Sequence, residues 1–261
     1  MLSISQNFIK DKKLISTIIK NSTDIGANDL VLDIGAGKGG LTIPLALVAA
    51  KVMAVEFDLK LVGILQRNIT EANLTNVSVI NADFLDLDLN RLGSYKVFAN
   101  IPFSLSADII RKLLLGYNKP LSCYLFLEKN TAYRFMGLPQ SDESLISLMI
   151  KLNFHMKLIH QFHPYDFQPM PKADVVLVRF VKKEEVFPPD QQLLFQTFME
   201  QIFLSRKHDL KGALLTIFTY KQLQRIKKDL GLNIRIRPSQ LSFDDWVKIF
   251  SVAQKLLPIS N

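Results

Sequence analysis

The sequence predicts an α/β fold, in which a mostly parallel sheet covered by helices is followed by a small all-helical domain. From about residue 30, short β-branched apolar runs alternate with segments of helical length. Apolar strands separated by helices are typical of a parallel sheet buried on both faces. Beyond a charged stretch that ends in two prolines, the pattern becomes helical. We therefore divide the chain into residues 1–182 and 183–261.

Seven apolar runs carry the strand pattern. They are residues 30–34, 51–56, 77–81, 95–99, 121–127, 156–160 and 175–179. The last two have no helix-length segment between them, so we expect an antiparallel pair at the sheet edge. The predicted helices of the second domain are residues 191–204, 211–219, 221–230 and 242–257. Gly231 ends the third of these helices, and Ser242 with Asp245 begins the fourth.

Composition narrows the class of protein. The chain has 261 residues, 48% of them hydrophobic, enough for a sizeable core. It has neither an apolar run long enough to cross a bilayer nor the apolar core of a signal peptide, so we expect a cytoplasmic protein. The single cysteine, Cys123, excludes an intramolecular disulfide and a cysteine-rich metal site. We predict a buried core thiol and no metal centre.

The charge is strongly positive, with a net value of +8 and a pI near 9.4. From Lys182 onward the chain has 13 lysines and arginines and 8 acidic residues, a net charge of +5. Such an excess favours a polyanionic partner, because binding releases condensed counterions. A solvated basic surface explains the charge equally well until a site is identified.

A glycine-rich turn, Asp33-Ile-Gly-Ala-Gly-Lys-Gly39, follows the first strand and opens a helix. Glycines at alternate positions let the backbone turn sharply and approach a ligand closely. Pro44 is harmless if the helix begins near Leu41, because amides in a first helical turn have no intrahelical partner.

Acidic residues end the next two strands. Glu56 is placed to accept hydrogen bonds from a ribose diol, and Asp83-Phe84 to bind an adenine amine and ring. Each alone is more often a helix cap or turn residue. Together with the glycine turn they predict an adenosine-containing ligand, and a dinucleotide oxidoreductase remains open at this point.

The fourth strand ends in Asn100-Ile101-Pro102-Phe103. The exocyclic amine of adenine is a poor nucleophile, because its lone pair is delocalised into the ring. Asn100 can accept a hydrogen bond from one N–H, and the Ile101 carbonyl, oriented by Pro102, can accept the other. Phe103 can stack on the base. Methylation of that amine would then depend on positioning and electrostatic preorganisation.

Six segments together make the chain resemble the rRNA adenine dimethyltransferases. They are Ser5-Gln-Asn-Phe-Ile9, Asp33-Ile-Gly-Ala-Gly-Lys-Gly39, Val55-Glu56, Ala82-Asp83-Phe84, Asn100-Ile-Pro-Phe103 and Phe167-Gln-Pro-Met-Pro-Lys172. The resemblance implies a seven-stranded Rossmann-like catalytic domain, a helical C-terminal domain and S-adenosyl-L-methionine as cofactor. The residues it places at the cofactor are Asn7, Ile9, Gly35, Gly37, Glu56, Asp83, Phe84 and Asn100. It also implies that Phe167 closes over the second face of the target base, although a core phenylalanine is the commoner case.

Two branches of that family are relevant. Asn-Ile-Pro-Phe and Arg134-Phe-Met-Gly137 resemble the branch that methylates 23S large-subunit rRNA and confers macrolide, lincosamide and streptogramin B resistance. We therefore expect an unpaired adenine in a loop or bulge of 23S rRNA as substrate, and a monomeric enzyme. Glu128, Ser104 and Ala173 depart from the family pattern and leave the number of methyl groups open.

Three alternatives stay open. One is the 16S small-subunit dimethyltransferase of ribosome biogenesis, and another is methylation of the same amine in DNA. The third is a non-catalytic RNA-binding assembly or transcription factor of the same fold, which the intact Asn100, Glu56 and glycine turn disfavour.

Overall fold

The structure, a computed structural model, describes residues 8–137 and 142–256. The chain forms two compact units: Met1–Ala132 with Phe154–Lys183, and Tyr133–Asn153 with Glu184–Asn261. In chain order the elements are β1 (Phe8–Ile9), α1 (Lys12–Ser22), β2 (Leu30–Ile34), α2 (Thr42–Ala46), β3 (Lys51–Glu56), α3 (Leu59–Glu71), β4 (Val77–Asn81), β5 (Lys96–Ala99), α4 (Ser106–Ile110), β6 (Ser122–Glu128), α5 (Lys129–Met136), α6 (Leu145–Asn153), β7 (Phe154–Phe162), β8 (Phe167–Gln168), β9 (Val175–Lys182), α7 (Pro189–Leu204), α8 (Leu210–Leu214), α9 (Tyr220–Leu230) and α10 (Phe243–Leu256).

The first unit is built on a mostly parallel sheet. Within the described residues it has seven strands in the order β4-β3-β2-β5-β6-β9-β7. Strands β4 to β6 are parallel to their neighbours, whereas β9 runs antiparallel to both β6 and β7. The predicted Rossmann-like α/β fold and the antiparallel edge pair are therefore confirmed. The strand order reverses direction at β2, so the crevice between the carboxyl ends of β2 and β5 is a topological switch point, where such sheets bind ligands.

Local sequence explains why the first helices form. Asp11 caps α1 by accepting hydrogen bonds from the amides of Lys13 (2.8 Å) and Leu14 (3.0 Å). The predicted position of Pro44 is confirmed: it is the third residue of α2, where its missing amide costs nothing. Both helices contribute to one buried cluster with β2, β3, β5 and β6. Cys123 is a buried thiol in this sheet, as predicted, and burial raises its pKa well above the usual value.

The second unit has a helical core of its own. Its cluster joins Phe195 and Met199 of α7 to Trp246 and Phe250 of α10. The left-handed Gly231 ends α9, and Ser242 Oγ accepts a hydrogen bond from the Asp245 amide at the start of α10, as predicted. Helix α8 is shorter than the predicted 211–219, because residues 215–218 turn toward the Thr219 cap of α9.

One segment lies in a different unit from the one that we predicted. The sequence interpretation assigned everything up to residue 182 to the first domain, whereas Tyr133–Asn153 packs with the helical unit. Leu148 and Leu152 of α6 belong to the cluster that contains Trp246. The Glu143 amide donates to the Ser239 carbonyl at 2.8 Å. An apolar helix joins whichever core it can reach, and its own pattern does not specify which.

None of the helices in residues 8–137 and 142–256 has the length and apolar character needed to cross a membrane.

Candidate active site

The glycine turn lies at the carboxyl end of β2, in the centre of the sheet. Gly35 and Gly37 adopt left-handed backbone conformations, with φ of 71° and 58°. The amides of Gly35 and Ala36 both donate to the Val55 carbonyl of β3, at 2.9 and 3.1 Å. A Cβ atom on Gly35 would lie 3.8 Å from the Asn100 carbonyl oxygen and 3.9 Å from Pro102 Cδ. The turn therefore faces the tetrapeptide that follows β5.

Glu56, the last residue of β3, is 2% exposed and fixes this turn. Its Oε2 accepts from the Gly37 amide at 2.8 Å, and its Oε1 accepts from the Asp58 amide at 2.9 Å. Each carboxylate oxygen can accept more than one hydrogen bond, so the two amides leave capacity for ligand hydroxyls. The ribose contact of Glu56 remains a prediction, and its structural role toward Gly37 is an addition to it.

Asp33 is a site residue to which the sequence interpretation gave no role. It is fully buried, and its Oδ2 accepts from Thr42 Oγ1 at 2.6 Å. Among the described residues nothing hydrogen-bonds to its Oδ1. Burial raises its pKa to about 7, the Thr42 hydrogen bond opposes that shift, and the charge of Glu56 adds to it. The available signal was an acidic residue inside the otherwise apolar run of residues 30–34.

The two buried carboxylates fit a cationic ligand. Asp33 and Glu56 lie on either side of a turn whose glycine positions leave the backbone accessible. Positive charge near them favours the ionised form of Asp33. S-adenosylmethionine carries both a sulfonium and an ammonium, and thus matches this donor set better than a neutral nucleoside does.

The end of β4 carries Asp83 and Phe84. Asp83 caps a 3-10 turn, because its Oδ1 accepts from the Leu85 amide at 2.8 Å. The Phe84 ring is 5% exposed, and Lys112 Nζ lies 5.4 Å from its centroid. Asp83 is thus the turn cap that its residue type suggests. Its contact with adenine, and that of the Phe84 backbone, remain predictions.

Asn100-Ile101-Pro102-Phe103 leaves the buried strand β5 at the switch point. Leu32 of β2 pairs with Val97 of β5, and this register carries Asn100 to the level of Gly35. Ile101 is buried, and Pro102 has φ −59° and ψ 126°. A 3-10 turn follows, in which the Leu105 amide donates to the Pro102 carbonyl at 3.0 Å. These bonds set the direction of the segment directly after the Ile101 carbonyl.

The pairing of β1 with β8 places Ile9 opposite Phe167. Asn7, the other predicted cofactor contact of that segment, lies outside the described residues. Phe167 itself is 1% exposed, and its ring packs edge-on against Phe162 with centroids 5.6 Å apart. A ring so enclosed has no face open to a base, so this conformation does not support the predicted stacking role. The commoner alternative, a core phenylalanine, describes it.

Metal chemistry has no visible centre in the described part of the chain. There, no group of three or more histidine, cysteine, aspartate or glutamate side chains is arranged to hold a metal ion.

Comparison with known proteins gives concordant findings. A family model described as ribosomal RNA adenine dimethylase matches residues 2–255. A probable ribosomal RNA small subunit methyltransferase A from Methanococcus vannielii is 33% identical, covering 99% of this chain and 94% of that protein. An rRNA adenine N-6-methyltransferase from Bacillus licheniformis is 30% identical, covering 94% and 84%. The crystal structure of 23S rRNA methyltransferase ErmE superposes with a TM-score of 0.84 at 20% identity, covering 95% of this chain and 100% of that one, and bears on the fold alone.

Proposed function

Because the chain belongs to the ribosomal RNA adenine dimethylase family, we propose that its substrate is an adenine of small-subunit rRNA. The enzyme is an S-adenosylmethionine-dependent rRNA adenine N6-methyltransferase. The proposal concerns which rRNA it modifies and which residues act. The Methanococcus relative, at 33% identity over nearly the whole chain, is named for the small subunit, and this supports the 16S assignment over the 23S assignment made from the tetrapeptide.

The observation that carries the catalytic assignment is the juxtaposition of Gly35 and the Asn100 segment. A Cβ on Gly35 would lie 3.8 Å from the Asn100 carbonyl oxygen. A cofactor held on the glycine turn and a base held by Asn100 would thus occupy adjacent sites. The cofactor supplies a methyl group on a sulfonium, a strongly electrophilic carbon. The task of the protein is to hold the amine in line with it.

The tetrapeptide prepares the amine as nucleophile. The side-chain oxygen of Asn100 accepts a hydrogen bond from one N–H, and the Ile101 carbonyl accepts one from the other. Together they draw the nitrogen toward tetrahedral geometry and localise its lone pair. Phe103, partly buried, stacks on the ring. The methylated nitrogen is acidic enough to lose its proton to water, so a strong general base is unnecessary.

Nucleoside mass spectrometry tests the substrate. The chain would be expressed in a bacterium that lacks its own small-subunit adenine dimethylase, and the two large rRNAs would be separated before digestion. We expect methylated adenosine in small-subunit rRNA, with the mass increment giving the number of methyl groups. Expression of Asn100→Ala is the control and should give none. A cofactor-binding wild type that leaves both rRNAs unmodified would contradict the proposal.

Methylation of large-subunit rRNA is the second candidate. Phe103 in the tetrapeptide and the Arg134-Phe-Met-Gly137 segment favour it, since both resemble the resistance branch. A methyl group on the amine removes an N–H donor and adds bulk where a macrolide would pack. An unpaired buried polar group alone costs about 1–3 kcal/mol, and each 1.4 kcal/mol is a tenfold loss of affinity.

The same expression experiment separates the candidates. Methylation confined to large-subunit rRNA, together with growth at macrolide concentrations that stop the parent strain, would support the second candidate and exclude the first. Methylation confined to small-subunit rRNA with unchanged macrolide sensitivity would do the reverse.

A further inference from the structure

An exposed aromatic pair lies on the loop that leads into β8. Tyr165 is 70% exposed, although tyrosine buries a large apolar ring when it packs. Its ring stacks on His163, with centroids 4.9 Å apart and 14° between the planes. Phe167, two residues later, is 1% exposed. The aromatic face that this loop presents to solvent therefore belongs to Tyr165.

The pair is held in place by hydrogen bonds. Asp166 Oδ2 accepts from the His163 amide at 2.8 Å, and His163 Nδ1 accepts from the Tyr165 amide at 3.4 Å. The Lys10 amide donates to the Asp166 carbonyl at 2.8 Å, which ties the loop to the segment after β1. A ring fixed in this way loses little conformational entropy when a flat ligand stacks on it.

The loop shares its support with the tetrapeptide. Phe167 is a member of the buried cluster that also contains Phe126 and Phe162. Phe103 packs against this same cluster. Tyr165 therefore stands on a loop anchored in the surface on which the predicted base-stacking residue rests. The exposed side chain of Lys10 lies on the segment bonded to that loop.

We propose that Tyr165, backed by His163, is a stacking platform for the base of an unpaired nucleotide next to the target adenine. This inference rests on the rRNA methylation proposed above. An adenine must leave its stack to reach Asn100, which frees the faces of its neighbours. Aromatic side chains beside basic residues are the usual means of holding such unpaired bases, and Lys10 supplies the cation for the adjoining phosphate. Tyr165 is thus a positioning residue and takes no part in methyl transfer.

Steady-state kinetics on short RNA hairpins that contain the mapped adenine test this role. Tyr165→Ala should raise the KM for RNA about tenfold, within the range for loss of one base–aromatic stack. The kcat and the affinity for S-adenosylmethionine should stay unchanged. Tyr165→Phe, which keeps the ring, should restore the wild-type KM. Tyr117→Ala is the matched control, since Tyr117 is a 93% exposed tyrosine of the same unit.

Abasic substitutions identify the nucleotide. One hairpin for each position flanking the target would carry a single abasic site. At one position the abasic site should raise the KM of the wild type and have no further effect on Tyr165→Ala. An unchanged KM for Tyr165→Ala, or equal abasic effects in both proteins at every position, would overturn the platform. A wild type that methylates no rRNA would instead refute the proposed function.

Discussion

Asn100 follows a strand whose four residues are all buried, and Pro102 fixes the backbone two residues later. Neither its position nor its direction can adjust much to a change of side chain. We expect Asn100→Ala to cut the turnover number about a hundredfold or more, as for loss of one preorganised hydrogen-bonding group. Methyl transfer to RNA under saturating cofactor measures this. Ser104→Ala, at an exposed position of the next turn, should be near normal.

Glu56 is the residue on which the affinity for cofactor should depend. Glu56→Gln keeps one acceptor oxygen for the backbone amides of Gly37 and Asp58 but removes the negative charge. We expect cofactor affinity to fall by about 1–3 kcal/mol, the range for hydrogen bonds to a charged group. Isothermal titration calorimetry measures it. Glu71→Gln, at an exposed position at the end of α3, should bind as wild type does.

Asp33 should make stability depend on pH near neutrality. Burial raises its pKa from 3.8 to about 7, so the folded protein holds this proton more tightly than the unfolded chain. The contribution of this group to stability is full below about pH 4 and is lost as the pH rises to about 7. Between pH 5 and pH 8 the wild type should lose roughly 3 kcal/mol of its free energy of unfolding through this carboxyl.

Urea denaturation at the two pH values is the measurement. The variant Asp33→Asn cannot titrate and should lack this part of the pH dependence, whatever its absolute stability. Asp86→Asn, at an exposed position, should keep it. If Asp33→Asn retained the full wild-type slope, another group would be responsible.

At the scale of elements, the glycine turn and a helix end can be compared directly. Gly35 and Gly231 both have left-handed backbones, with φ of 71° and 64°, and a Cβ on either meets no close contact. Alanine at each position should therefore cost a similar 1–2 kcal/mol of stability, roughly the strain of a left-handed alanine. Only Gly35→Ala should weaken cofactor binding, by about tenfold or more, because its Cβ enters the space beside Asn100 and Pro102. Thermal unfolding and calorimetry on both variants measure the two effects.

Element types followed from the sequence where one local cause decides. The strands 30–34, 51–56 and 77–81 were predicted to the residue, because buried parallel strands are apolar throughout and end at polar or glycine residues. Gly231 and Ser242 marked helix boundaries for the same local reason. Helix α8 was overestimated because nothing in its apolar pattern excludes a second turn.

Long-range packing was beyond the sequence. The cluster that α6 joins, the full burial of Asp33 and the enclosure of Phe167 all depend on neighbours distant in the chain. The site was predictable as an edge, because Gly35, Glu56, Asp83 and Asn100 each follow a strand of one parallel sheet. Which aromatic faces outward on the 163–167 loop was not predictable, since both candidates, Tyr165 and Phe167, occur there.

For the molecule as a whole, the net charge of +8 has a specific expected expression in the second unit. The turn between α7 and α8 is fixed at both ends, by the Ser205 cap and by Asp209 Oδ1, which accepts from the Gly212 amide at 2.7 Å. Between these caps Arg206, with a left-handed φ of 54°, and Lys207 are exposed. A short, fixed, doubly basic turn is suited to contact RNA phosphates.

The salt dependence of RNA binding should report those contacts. Each phosphate contact contributes roughly one unit to the slope of log Kobs against log salt concentration, because bound counterions are released. The double variant Arg206→Gln/Lys207→Gln should therefore flatten the slope by about 1–2 and weaken binding most at low salt. The matched control is Arg225→Gln/Lys248→Gln, which changes the net charge equally but at residues paired with Asp229 and Asp245 on their own helices. That control should leave the slope near wild type, since screening by distant surface charges acts only weakly beyond a Debye length of about 10 Å. Filter binding of an rRNA fragment between 50 and 300 mM salt measures both, and equal slopes for the two variants would show that total charge, rather than this turn, binds the RNA.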